Sequence, residues 1–331
     1  MHKLLETPAQ AAALLAKQNH FLIIMHRMPD CDAIGSGYAL QLVLQSLGKQ
    51  AVLFCKDDIA PLYREIFPEI KIYNPGDKLP FEPRFLVAVD TAAPDVFGRG
   101  LEAYSAMTDL CIDHHSTNSC YAKNILLYDN AAANCEIIFD VILALGGCIT
   151  PQIAPALYCG IATDTGCFKF PNVTPHTFET AAKLLRLGAD STNIHYLLFE
   201  SKSEAKLGLE SYIYSHLEHY FDKKCGLFVI PKTLIDENEA DESDINGLVN
   251  IGKALRGVLI AVMLRELEEN VYKVSMRTTD QSGIDAGFVC AMLGGGGHKR
   301  AAGCTIYADA ETAKQMVINA ISLQSVIGGT Q

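Results

Sequence analysis

The feature that most constrains the fold is a series of short, almost uninterrupted apolar runs separated by helical stretches. Residues 21–25 (FLIIM), 50–55 (QAVLFC), 85–89 (FLVAV) and 110–112 (LCI) have the composition of buried strands and are bounded by polar or turn residues. A strand wetted on one face alternates apolar with polar residues, and these do not. With helical patterns at 7–18 and 38–47 between them, they predict a parallel sheet covered on both faces. A Gly-containing turn is expected just before residue 38. In such sheets functional groups collect beyond the carboxyl ends of the strands.

Further along, residues 193–220 read as long, charged and helical, with no strand signal. A second α/β pattern follows, with strands at 226–230, 257–264 and 271–276 and a helix at 284–293 running into GGGGHKRAAG (294–303). The acidic stretch 236–244 reads as a solvated loop and helix start. The expected division of the 331 residues is an α/β domain at 1–190, a helical connector at 191–222 and a smaller α/β domain at 223–331.

The ends of the apolar runs are acidic. FLIIM leads into His26, Asp30 and Asp32 (HRMPDCDAIGS); FLVAV leads into Asp90; LCI leads into Asp113, His114 and His115; and LYCGIAT, read as a fourth strand of this kind, leads into Asp164. Any one Asp after a strand is ordinarily a helix cap. Several carboxylates converging on one sheet edge would repel each other, and burial would cost several kcal/mol more per uncompensated ion. Such a set calls for cations. Carboxylates mixed with imidazoles, without thiolates, suit manganese or magnesium better than structural zinc. There are enough groups for two ions, a pair able to activate water and clamp both oxygens of an in-line displacement at phosphorus.

HRMPDCDAIGS, Asp90, IDHH (112–115), GIATDTG (160–166) and GGGGHKRAAG occur in the order seen in the DHH phosphoesterases with a DHH-associated C-terminal domain, which this chain resembles over nearly its whole length. The stand-alone nanoRNase/pAp-phosphatase branch is most similar. The resemblance implies a parallel-sheet DHH domain joined by a helical connector to a smaller α/β domain, with the active site in the interdomain cleft. It implies that His26, Asp30 and Asp90 hold one metal and Asp32, Asp90, His114 and Asp164 the other, both Mn²⁺ with Mg²⁺ or Co²⁺ as substitutes. His115 would face the scissile phosphate as a donor, and Asp113 would orient the histidines. Arg277, Gly295, Gly296, Gly297 and His298 would grip a phosphate distant from the metals. The chain departs from the usual family pattern at AAANCEII, where Asn134 and Cys135 precede Glu-Ile-Ile in place of a Thr-containing stretch.

Composition narrows the substrate. A formal net charge of −11 disfavours a long polyanion, and a binder of duplex DNA would carry a basic face. A nucleic-acid substrate should therefore be short, and the resemblance implies short single-stranded RNA and small 3′,5′-nucleotides. Eleven cysteines without a C-x-x-C pair, no signal peptide and no membrane-length apolar run point to the cytoplasm. The resemblance implies hydrolysis of nanoRNA to mononucleotides, of 3′-phosphoadenosine 5′-phosphate to AMP and phosphate, or both. Alternatives are a linear dinucleotide phosphodiesterase of the pApA type and a nucleotide-binding sensor without turnover; homodimerisation stays open. His195, His216 and His219 read as packing or surface residues, and Phe168 and Phe170 as either core or a stacking surface for a base.

Overall fold

The computed structural model describes residues 2–328, and the chain divides into two compact units between Ser201 and Lys202. In the first, strands β1 (Lys3–Leu5), β2 (Phe21–Ile24), β3 (Ala51–Phe54), β4 (Ile72–Tyr73), β5 (Phe85–Val89), β6 (Leu110–Asp113) and β7 (Asn124–Leu127) form one sheet in the order β1-β7-β6-β5-β2-β3-β4. Every neighbouring pair is parallel. Phe21, Ile23, Val87 and Ile112 pack into the core on one face, whereas Leu22, Ile24, Leu86 and Ala88 pack into that on the other. Two covered faces explain why the runs show no alternation.

After β2 the chain builds outward through β3 and β4, then returns to place β5 on the opposite side of β2. The strand order therefore reverses between β2 and β5. That reversal opens a crevice at the carboxyl ends of the two strands, the usual ligand position in open α/β sheets.

Two sequence expectations fail here for related reasons. The Gly-containing turn before residue 38 is part of a long helix, Cys31–Ser46, and LYCGIAT is part of the helix Ile153–Asp164, not a strand. These helices pack closely: a Cβ on Gly35 would lie 2.3 Å from the Ala156 carbonyl oxygen. Glycine here removes bulk between helices instead of making a turn. The 153–164 helix is buried on nearly all sides, so its apolar run shows no 3.6-residue stripe and resembles a buried strand. Asp164 accordingly arrives from a helix end.

The second unit carries a mixed sheet of β8 (Glu218–Tyr220), β9 (Cys225–Ile230), β10 (Ile260–Glu268), β11 (Val271–Thr278), β12 (Gly296–His298) and β13 (Ala301–Tyr307), in the order β12-β13-β11-β10-β9-β8. Only β9 and β10 pair in parallel; the other neighbours are antiparallel. Helices Ala286–Met292 and Ala310–Gly328 supply Val289, Ala313 and Val317 to one core, and the helix Glu204–Ser215 supplies Leu209 and Ile213 to the other. The stretch read as wholly helical ends in β8, whose Glu-His-Tyr sequence on a half-exposed sheet edge has no apolar signature. The glycine run is only partly a turn, since Gly296–His298 form an edge strand paired with β13. No helix among the described residues is long and apolar enough to cross a membrane.

Candidate metal centre

Adjacent strands β2, β5 and β6 deliver His26, Asp90 and His114 just past their carboxyl ends. Asp30 follows and caps the 31–46 helix, accepting the backbone N–H groups of Asp32 and Ala33 at 3.1 Å each. The cap and the candidate ligand are the same carboxylate, whose side chain remains 54% exposed. Asp32, the second residue of that helix, is fully buried.

Asp32 is held by the segment in which the sequence departs from the family. Its carboxylate accepts the backbone N–H groups of Asn134 at 2.6 Å and Cys135 at 2.9 Å, the first residues of the helix Asn134–Ala144. A helix N-terminus favours a buried anion. The Asn134 amide, oriented to satisfy its neighbours, donates to the Ile112 carbonyl and accepts from Ser36 Oγ and the Asp90 N–H. Asn134 thus ties together the segments bearing Asp32, Asp90 and His114, a role sequence reasoning missed. The available signal was a helix start beside a buried acid. Gly160 completes the fit, because a Cβ there would lie 2.6 Å from Asp32 Oδ1.

Asp90 is the centre of the arrangement. Its φ of 54° is left-handed, a conformation that costs a non-glycine residue about 1–3 kcal/mol and persists where the surroundings enforce it. Its Oδ2 lies 3.8 Å from His26 Nε2, and its Oδ1 lies 3.4 Å from His114 Nε2. Oδ1 is buried and has no hydrogen-bond partner. His114 Nε2 also lies 3.3 Å from Asp164 Oδ2 and 3.8 Å from Asp32 Oδ2. Candidate ligand atoms converge within 4.8 Å in the sets His26–Asp30–Asp90, Asp32–His114–Asp164 and Asp90–His114–His115.

The electrostatics fit a cation. Burial, then the Asp32, Asp30 and Asp90 charges, pushes the Asp164 carboxyl far above the usual carboxylate range. Asp32 is raised by burial and then by Asp90. Burial alone would lower His26, but the Asp30 carboxylate 3.7 Å away and the Asp90 charge carry it up to about 9. Protein groups alone can accommodate this charge only by retaining protons. Oxygen and imidazole donors, together with the orphaned Asp90 oxygen, suit divalent cations of the magnesium or manganese type.

His115 is placed differently. Its Nδ1 pairs with Asp113 Oδ1 at 2.8 Å, and the other Asp113 oxygen accepts from Asn118 Nδ2 at 2.6 Å. With Nδ1 donating to Asp113, the ring nitrogen nearest Asp90 is not free to ligate. The His115 side chain is 44% exposed, against 13% for His114. The hydrogen bond to Asp113 raises the His115 pKa. Asp113 contacts His115 but not His114, whose Nδ1 faces the Ala131 carbonyl at 3.2 Å.

In the second unit, Arg277 on β11 pairs with Ala301 on β13, which pairs with His298 on β12. Directly paired residues share a sheet face, so Arg277 and His298 project to the same side, two strand spacings (roughly 10 Å) apart. Arg277, Gly294, Gly295, Ser275 and Lys273 line a cavity of about 650 Å³. Gly296, Gly297 and His298 continue from it along the sheet edge, all exposed. Burial lowers the Arg277 pKa, and its Nη1 donates to the Met276 carbonyl. Arg300 is engaged elsewhere, with the Thr279 carbonyl and Asp280.

Comparisons with known proteins agree with this layout. Residues 20–161 match the DHH family N-terminal domain, and residues 222–323 match the DHHA1 domain. A Thermus thermophilus protein named bifunctional oligoribonuclease and PAP phosphatase NrnA is 33% identical over 94% of this chain and 92% of its own length. The Bacillus subtilis protein of the same name is 25% identical over 86% of this chain and 89% of its own. Among solved structures, an exopolyphosphatase-related protein from Bacteroides fragilis superimposes with a TM-score of 0.87 over 97% of each chain at 23% identity, a likeness of fold.

Proposed function

The chain belongs to the DHH family, and from that premise we propose that it is a two-manganese phosphoesterase acting on very short RNA and on 3′-phosphoadenosine 5′-phosphate. It is a hydrolase by kinship, and the activities in the names of its Thermus and Bacillus relatives supply the substrate classes. The observation that carries the reading is Asp90: its two oxygens face two different ligand sets, and the one toward His114 is buried without a partner. A carboxylate so placed is built to bridge.

His26, Asp30 and Asp90 would hold one cation, and Asp32, Asp90, His114 and Asp164 the other. Bound there, the pair supplies Lewis acidity and a water of lowered pKa for attack at phosphorus. The protein's own groups do the rest. The Asn134 and Cys135 amides hold Asp32 in place; Asp113 accepts from His115 Nδ1 and raises its pKa, favouring the imidazolium, whose Nε2–H can donate to a phosphate oxygen. Arg277, Gly295, Gly296, Gly297 and His298 would hold a second phosphate, the guanidinium in a bidentate contact. Binding at that remote phosphate speeds the reaction only as far as it persists in the transition state. All eleven cysteines are free, which fits a reducing compartment such as the cytoplasm.

The test is to incubate the protein and Mn²⁺ with 2-, 5- and 24-nucleotide RNAs and with 3′-phosphoadenosine 5′-phosphate. Fast release of mononucleotides from the short RNAs, and of phosphate from the bisphosphate, is expected. Turnover of none of them would refute the assignment. Cleavage restricted to one linear dinucleotide would replace it with a dinucleotide phosphodiesterase.

A further inference from the structure

Immediately after Asp164 and Thr165 the backbone runs through three consecutive left-handed residues, Gly166 (φ 54°), Cys167 (φ 59°) and Phe168 (φ 61°). Two of these carry side chains that disfavour that region, and such strain persists where the surrounding structure enforces it. Here the enforcement is visible. The buried Thr165 carbonyl accepts the N–H groups of Lys169 at 2.9 Å and Phe170 at 3.0 Å, and its hydroxyl accepts that of Phe168 at 3.0 Å. Asn172 clips the end of the loop, donating to the Asp164 and Ala132 carbonyls at 3.2 and 3.0 Å.

The effect of this knot is to separate two phenyl rings. Phe168 is partly buried and stacks on Phe178 with centroids 5.5 Å apart and planes inclined by 21°. Phe170 is turned back onto Gly166, where a Cβ would meet three ring atoms at 2.4–2.7 Å, yet the residue remains 53% exposed. A lone exposed aromatic needs no explanation. One held against the backbone by a strained, doubly clipped loop that begins two residues after a candidate metal ligand does. Gly166 lies within about 7 Å of Asp164 along the chain, so the ring sits about one nucleotide's reach from the phosphoryl chemistry.

We propose that Phe170 is a stacking shelf for the nucleobase of the nucleotide whose phosphate occupies the metal centre, an inference that rests on the function proposed above. A phenyl face accepts any base, purines best by area, which suits an enzyme of short RNAs with no fixed sequence. It also binds a neutral part of the nucleotide, which the surrounding carboxylates do not repel. Phe168 and Gly166 are positioning residues, the first anchoring the loop and the second making room for the ring.

The experiment compares two ligands that differ only in the base, AMP and ribose 5-phosphate, by calorimetric titration of the full chain with Mn²⁺ present. The wild type should favour AMP by roughly 5- to 100-fold, the span seen for single base–aromatic stacks. Phe170→Ala should cut that ratio at least fivefold, and Phe170→Trp should preserve or raise it. A ratio near one in the wild type, or an unchanged ratio in Phe170→Ala, would overturn the shelf, as would failure to bind either ligand. Hydrolysis of dinucleotides by the wild type is measured separately. Inactive protein that still shows the base-dependent ratio would refute the phosphoesterase reading and leave the shelf standing.

Discussion

Replacing Asp164 with Asn should stabilise the metal-free protein and remove most of its response to metal. Candidate ligand oxygens of Asp164 and Asp32 lie within 4.8 Å of each other. At an effective dielectric constant near 20, two such charges repel by roughly 3.5 kcal/mol. The Asp164 side chain is 24% exposed, so part of this is screened, and about 1–2 kcal/mol is a fair expectation. Asp164 is also the last residue of its helix, where a negative charge opposes the macrodipole by about 0.3–1 kcal/mol. For a unit of this size each kcal/mol moves Tm by about 2–4 °C, so relief of the repulsion alone should raise the variant's melting in EDTA by about 2–8 °C. Saturating Mn²⁺ reverses the order: at a hundredfold excess over Kd the wild type gains about 2.7 kcal/mol, which the variant largely forfeits.

The pH dependence checks the cause. The folded-state pKa of Asp164 is raised above its unfolded value of about 3.9. Below that value both states are protonated and the penalty vanishes. As pH rises, the unfolded chain releases a proton that the folded one retains, so wild-type stability at this site falls. The advantage of Asp164→Asn in EDTA should therefore widen between pH 5 and pH 8. Scanning calorimetry in EDTA, and with Mn²⁺, reads all of this. A variant that melts no higher than wild type in EDTA, or whose advantage grows toward acid, would refute the reasoning.

Three further outcomes are expected. Asp90→Ala should abolish turnover and lose at least one bound Mn²⁺ per chain by elemental analysis; an active variant with two would remove the bridging role. Arg277→Ala and His298→Ala should each raise KM on dinucleotides roughly tenfold or more, the worth of one charge-assisted contact, with metal content unchanged; unchanged kinetics in both would eliminate the second phosphate site. A 3-mer RNA should show higher kcat/KM than a 24-mer with matched ends at fixed salt, and Gly296→Asp, which has open space for its side chain, should flatten the difference; equal values in the wild type would remove the length preference.

What the sequence made legible follows from how each element is buried. Strands β2, β3, β5 and β6 are apolar on both faces and could be read directly, and with them the carboxyl-end positions of His26, Asp90 and His114. The 153–164 helix is equally buried, so its residues carry no periodicity to separate helix from strand, although Asp164 still arrives at the centre. Edge strands β1, β4 and β8 were invisible because two or three half-exposed residues leave no pattern. Asn134 was missed because its own backbone N–H binds Asp32 and its side chain binds backbone groups of Ile112 and Asp90, contacts that no side-chain pattern advertises.

That backbone contact bears on why the centre needs a cation. The fold supplies neutralising partners to most of its acids: Asp30 has the cap amides of Asp32 and Ala33, Asp32 the amides of Asn134 and Cys135, and Asp113 the groups of His115 and Asn118. Among the described residues Asp90 Oδ1 has no hydrogen-bond partner, and the Asp164 carboxylate has the His114 ring as its ion-pair partner. These two acids meet at His114 Nε2, 3.4 and 3.3 Å away. Leaving a buried acceptor unpaired costs about 1–3 kcal/mol, more when it is charged. Backbone N–H donors satisfy Asp32, whereas the Asn134 side chain serves the Ile112 carbonyl and the Asp90 N–H and makes no bond to the Asp90 carboxylate. Instead the backbone of Asp90 is anchored while its carboxylate is left open, which preserves negative charge for an ion to complete and for chemistry at phosphorus to use.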